Sequence, residues 1–157
     1  MEYKLYVHIG SNDFDKRLFR DISNVNHFVK PMGGLWGSPV DSDYGWEDWV
    51  ISNDFNNTIG FNKYGKDRFY FKLKDNSKLL YIDNAKCLKD LPQINDDLFQ
   101  IAKSFVQLDF EMLKNMYDAI EVNISADNQL YWDLYGWDVD SILVLNPDCV
   151  EVVDKDK

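Results

Sequence analysis

The chain has 157 residues, 45% of them hydrophobic and 15% aromatic, with a formal net charge of −10. That length is enough to bury one core and too short for two comfortable domains, so a single domain over residues 1–157 is expected, fraying from about residue 154. The acidic balance argues against direct binding of nucleic acid, which needs clustered Lys and Arg to displace counterions, and no apolar run approaches the roughly 18 residues of a membrane-spanning helix.

Met1 to Gly10 alternates charged and apolar side chains and does not read as a secretory signal, which predicts a cytoplasmic protein. Cys87 and Cys149 stand far apart with no CxxC or Cys/His spacing, so neither a disulfide framework nor a zinc site is signalled, and buried thiols are expected. The charge would also suit a protein that imitates DNA, although acidity commonly serves solubility alone.

Tyr3 to Ile9 carries the period-two pattern of a first strand, with Lys4 and Tyr6 outward and Leu5 and Val7 inward. Phe28 to Lys30 reads as a short strand stopped by Pro31, and Leu35 to Ser38 as another, introduced by Gly33-Gly34 and closed by Pro39. Ser42 or Asp43 can cap a helix that buries Trp46, Trp49 and Val50. Asn53 to Lys66 reads as a surface loop. Phe69 to Leu73 and Leu79 to Ile82 are expected to pair as a hairpin across Asp75-Asn76-Ser77.

Asn95, Asp96 and Asp97 open a helix with Leu98, Ile101, Ala102 and Phe105 on one side. Asp109 caps a shorter helix through Phe110, Leu113 and Met116. A strand over Ala119 to Ile124, an aromatic-rich helical turn or two over Ala126 to Tyr135, a buried strand over Ser141 to Leu145, a turn at Asn146-Pro147-Asp148 and a last strand over Val150 to Val153 complete the reading. The pattern predicts an α+β fold of mixed, largely antiparallel small sheets with flanking helices.

Three clusters can carry chemistry. His8 ends the first strand and is followed by Gly10 and Ser11, a position typical of ligand loops and equally of an ordinary half-buried imidazole. In KPMGGLWGSP, Gly33 and Gly34 either let backbone amides approach a ligand, with Trp36 stacking and Ser38 bonding, or make a tight turn around a core tryptophan. In LYWDLYGWDVDSILVLNP, Asp133, Asp138 and Asp140 precede a buried strand. Asp138 and Asp140 would point the same way in an extended chain; a solvated acidic loop is the simpler reading than a metal site, since no further ligand has suitable spacing. Glu121, on YDAIEV, is the remaining candidate carboxylate. Phosphate-loop, dinucleotide-fold and Gly-x-Ser-x-Gly signatures do not occur.

The order of these clusters resembles the ADP-ribosyltransferase fold: a first strand ending in His, a second with an aromatic and a small hydroxyl residue, and a carboxylate before a late strand. The ending, YDAIEV through SILVLNPDCVEVV, resembles that of a phage anti-CRISPR ADP-ribosyltransferase, and the GGLWGSP-like and GWDVDS-like segments resemble proteins of Gram-positive bacteria and their phages. The resemblance implies NAD as substrate, held by His8, Gly10, Ser11, Trp36 and Ser38 lining one cleft with Asp140, which would stabilise the transferred ribosyl group. Glu121 would activate the acceptor. It also implies a host or defence-system protein as target. The family usually has Gly directly after the His, where Ile9 stands here; Glu where Asp140 stands; and Tyr where Trp36 stands. A non-enzymatic acidic inhibitor on the same fold, imitating DNA or binding a nucleotide without turnover, is the competing expectation.

Overall fold

A computed structural model describes residues 3–53, 67–95, 97 and 105–155. Seven strands, β1 (Tyr6–Ile9), β2 (Leu35–Pro39), β3 (Arg68–Leu73), β4 (Leu79–Ile82), β5 (Ala119–Val122), β6 (Ser141–Val144) and β7 (Val150–Val153), form one sheet in the order β4-β5-β6-β2-β1-β3-β7. Only β4 and β5 run parallel. The expected α+β class and its mostly antiparallel pairing are present, but in one continuous sheet where smaller ones were expected. Three short α-helices accompany it among the described residues: α1 (Trp46–Asn53), α2 (Phe110–Leu113) and α3 (Asn128–Asp133).

Side chains alternate across a strand, so the register assigns each residue to a face. Pairing of Tyr6 with Phe71, His8 with Phe69, and Glu121 with Ile142 puts these six on one face. Tyr6, Phe69, Phe71 and Ile142 are buried there with Leu35, Ala119, Val144 and Cys149. Trp36 pairs with Leu143 and Leu143 with Ile120, on the opposite face, where the larger core gathers Phe110, Leu113, Leu130, Leu134 and Trp137.

Several expected elements differ. The first strand has the opposite phase: Tyr6 is 1% exposed, because its hydroxyl donates to Glu121 and so costs nothing to bury. Phe28 is exposed, and residues 26–30 form turns in which His27 has φ +61°, a left-handed conformation that stops a strand. The β3–β4 hairpin does not form. Instead β3 lies between β1 and β7, while β4 lies beside β5 at the far edge, where Asp118 accepts from the Lys78 backbone N–H at 2.8 Å.

Neither Ser42 nor Asp43 caps α1. Ser38 accepts from the Trp46 backbone N–H at 2.9 Å, and Asp48 reaches back to the Gly45 N–H at 2.9 Å. Trp46 and Trp49 meet edge-on at 5.9 Å, but no residue of α1 is fully buried. Asp109 does cap α2, accepting from Met112 N–H. The loop expected after Asn53 and the helix expected after Asn95 fall mainly on residues 54–66 and 98–104, outside the described ones.

Candidate functional site

The two candidate catalytic carboxylates meet at one cavity of about 150 Å³, lined by Lys4, Pro39, Asp41, Ser42, Asp43, Glu121, Asn123 and Asp140. Asp140 precedes β6 and is 4% exposed. One of its oxygens accepts from the Ser125 backbone N–H and the other from the Ser125 hydroxyl, both at 3.0 Å. Among the described residues no Lys or Arg is paired with it. Its donors are both neutral, so the carboxylate is oriented on the cavity wall without a paired counter-charge among the described residues.

Glu121 is held differently. Lys4 donates to one oxygen at 2.5 Å and the Tyr6 hydroxyl to the other at 2.8 Å. Both oxygens are occupied, which suits a carboxylate that positions its neighbours better than one that takes a proton from a substrate. The same contacts act back on the partners: burial and the Glu121 charge push the Tyr6 phenol far above its usual range. Lys4 is also raised, because its bond to Glu121 and the nearby negative charges outweigh partial desolvation.

His8 lines a separate groove of about 210 Å³ with Ser11, Phe14, Phe19, Gly34 and Phe69. Its Nδ1–H donates to the Trp36 carbonyl at 2.7 Å, leaving Nε2 as the lone-pair nitrogen of the neutral ring, and it lies 5.0 Å from the Phe69 ring. Burial holds the imidazole below its usual range, opposed by the bond to Trp36. Gly10, with φ +126°, donates its N–H to the Asp67 carbonyl, and Ser11 donates to the carbonyl of Asp13. The first bond continues the pairing of β1 with β3, and the second serves the local turn. His8 lies four positions beyond Lys4, roughly 13 Å at an extended rise, so the groove lies toward the end of β1 and the acidic cavity toward the residues before it.

Trp36 projects from the other face. Its indole N–H donates to the Gly33 carbonyl at 3.2 Å, its ring leans on Trp137 at 4.8 Å, and the Lys30 ammonium sits 5.4 Å from its centre. Lys30 is also 4.7 Å from the Trp46 ring, and its burial holds the amine below its usual range, opposed by the charge of Asp138. Asp138 acts on Lys30, whereas Asp140 is bonded to Ser125, so the two carboxylates have different surroundings. Val139 between them is buried, and the chain there is not extended.

The glycine pair resolves toward the tight turn. A Cβ on Gly34 would meet Leu143 Cδ1 at 2.5 Å and the Val144 carbonyl at 2.8 Å, and one on Gly33 would run into the Asp21 carbonyl. The chain's own atoms occupy the space that a ligand would have needed. Ser38 is likewise committed to capping α1, although it lines a second cavity, of about 160 Å³, with Trp46, Arg68 and Tyr70.

Asp140 and Glu121 are thus brought together, whereas Ser38 faces the other side of the sheet and lines a second cavity that shares Pro39 and Ser42 with theirs. His8 with Ser11, and Trp36, are each elsewhere. The residues that complete the acidic site, Lys4 and Ser125, carry no motif. Lys4 reads as an outward strand residue, and Ser125 matters only because the fold returns β6 beside β5. Among the described residues no group of three or more His, Cys, Asp or Glu is arranged to hold a metal ion, and no helix is long and apolar enough to cross a membrane. Cys149 is buried, its thiol pushed up to about 12 by burial, while Cys87 is half-buried. Compared with family models, curated proteins and solved structures, the chain matches none.

Proposed function

We propose that the chain is an NAD-dependent mono-ADP-ribosyltransferase acting on a protein, with Asp140 as the residue that stabilises the transferred ribosyl group. One observation carries the reading: Asp140 is a buried carboxylate, fixed through both oxygens by Ser125, on the wall of a cavity it shares with Glu121. In the transfer, the bond between ribose C1′ and the nicotinamide nitrogen breaks and its electron pair stays on that nitrogen, neutralising the ring. Positive charge builds on the ribose. A carboxylate already held in place stabilises that charge without reorganising, and the acceptor side chain then bonds to C1′ and releases its proton to solvent.

β6 and β2 are neighbours in the sheet, so Asp140, the residue before β6, lies near Ser38 at the end of β2, whereas His8 of β1 lines a separate groove and does not contribute to the reading. Cavity size sets how the substrate would lie. Sites for ligands of this class occupy about 300–1,000 Å³, so a cavity of about 150 Å³ takes only the reacting end. The remainder of NAD would extend across Pro39 and Ser42 toward Arg68 and Tyr70. The reading rests on Asp140 and does not require Trp36 as a stacking plate. The resemblance to phage proteins suggests a host or defence-system target in a host cytoplasm.

The test is incubation of the protein with labelled NAD and a lysate of a Gram-positive host, beside Asp140→Ala. Label attached to protein, and lost with the variant, supports the transferase; no label and no calorimetric NAD binding overturns it. A second reading, a non-enzymatic acidic inhibitor, is favoured by a different observation. Asp41, Asp43, Glu121 and Asp140 line the same small cavity, with Lys4 as the one cation among the described residues that line it. That arrangement suits holding a basic group of a partner, and it predicts stoichiometric capture of a protein from the lysate without transfer of label.

A further inference from the structure

The groove at the end of β1 lies apart from the acidic cavity, and its chemistry is different. His8 donates from Nδ1–H to the Trp36 carbonyl at 2.7 Å, so the neutral ring carries its lone pair on Nε2, which has no partner among the described residues. Gly10 leaves that nitrogen uncovered. A Cβ there would stand 3.8 Å from Nε2, and the φ of +126° disfavours any side chain. The apolar walls are largely aromatic: Phe69 lies 5.0 Å from the imidazole and 6.1 Å from the Phe14 ring, and Leu18, which also lines the groove, is 77% exposed. At about 210 Å³ the groove is below the range of about 300–1,000 Å³ typical of cofactor sites, and its size suits one ring on a short chain.

The polar side chains that line the groove are all left as acceptors. Ser11 donates its hydroxyl proton to the Asp13 carbonyl, and Arg17 donates to both oxygens of Asp15. Asp13 accepts from the Phe14 backbone N–H on one oxygen, and no Lys or Arg among the described residues is paired with it. A ligand that fits must therefore bring the donors, and the carboxylate of Asp13 favours a cation over an anion. An aromatic ring covers the apolar wall, and a protonated amine supplies the donor and the charge. We propose that the groove is a second binding site, for a small arylalkylamine, with its ring on Phe14 and Phe69 and its ammonium donating to His8 Nε2. The site shares no lining residue with the Asp140 cavity, so it stands whether or not the chain transfers ADP-ribose.

The experiment is an NMR titration of the full-length, nitrogen-15-labelled chain at neutral pH with phenethylamine, beside phenethyl alcohol and phenylacetate, which carry the same ring on a neutral and an anionic end. The His8 ring signals are identified by their loss in His8→Gln, and the backbone amides report folding of each variant. Phenethylamine is expected to shift the His8 Nε2 signal and the Gly10 amide, and to bind several-fold more tightly than the alcohol or the acid. Phe14→Ala removes part of the wall, and Asp13→Asn removes the charge while keeping an oxygen for the Phe14 N–H. Each is expected to weaken binding of the amine several-fold. An unmoved Nε2 signal, equal binding of the three probes, or wild-type affinity in either variant overturns the proposal. So does displacement of the amine by NAD, which would make the groove part of a nucleotide site.

Discussion

Ser125 holds Asp140 twice, through its backbone N–H and its hydroxyl, each at 3.0 Å and each on a different oxygen. The pair joins the turn after β5 to the residue before β6, so the carboxylate's orientation depends on how these strands sit together. Ser125→Ala removes one of the two bonds to a buried charge and leaves the other. Its stability should fall by about 1–3 kcal/mol in urea unfolding, and Asp140 should become less well oriented. If the chain is a transferase, Ser125→Ala retains measurable labelling, whereas Asp140→Asn, which keeps the shape and removes the charge, lowers labelling on the order of a hundred-fold or more.

Tyr6→Phe tests the other carboxylate. The change keeps the ring in the core and removes only the hydroxyl that donates to Glu121 at 2.8 Å, leaving that oxygen buried without its donor. A loss of about 1–3 kcal/mol is expected. The wild-type phenol is held far above its usual range by burial and by Glu121, so above pH 10 the unfolded chain ionises Tyr6 while the folded chain does not. This contribution is present below pH 10 and lost as pH rises above it. The stability of Tyr6→Phe should therefore fall less steeply on the alkaline side than that of the wild type.

Local pattern placed most of the elements, because strand period and turn residues are written within a few positions of each other: β2, β6, β7 and the Asp109 cap of α2 all fall where the sequence puts them. Pairing is not written locally. Leu79–Ile82 is a strand by composition, yet nothing in it states that its partner lies beyond Asp118 and not across the turn at Asp75. Facing at β1 is not written locally either, for a different reason. Tyr6 looks amphipathic until Glu121, more than a hundred residues away, supplies its acceptor. The site shows the same division. Asp140 and Glu121 were visible as carboxylates beside buried strands, while Lys4 and Ser125 became site residues only through long-range register.

Gly34→Ala separates the turn from a ligand cradle. Gly34 has φ +71°, which disfavours any side chain, and the added Cβ would meet Leu143 and Ile22 side chains and the Val144 carbonyl at 2.5 to 2.8 Å. Backbone strain and overpacking add, and the variant should lose about 3 kcal/mol or more in thermal or urea unfolding. Unchanged stability would mean that the turn is not packed against β6 as described.

His8 gives the acid side of the stability profile a sign that can be checked. Burial depresses its imidazole below the ordinary value of 6.5, and the Nδ1–H bond to the Trp36 carbonyl only partly offsets that. Below pH 6.5 the unfolded chain therefore binds a proton that the folded chain resists, and stability falls as pH drops from 6.5 toward the depressed folded value. Above pH 6.5 the contribution is complete. His8→Gln can keep an amide donor toward the carbonyl without titrating, so its unfolding free energy should change less between pH 7.5 and pH 5.5 than that of the wild type. Equal slopes in the two proteins would place His8 in water and remove it from the wall of the groove with Phe69. A reduced slope, together with a nitrogen-15 spectrum showing the proton on Nδ1 at pH 7.5, would establish Nε2 as an acceptor for any ligand that enters there.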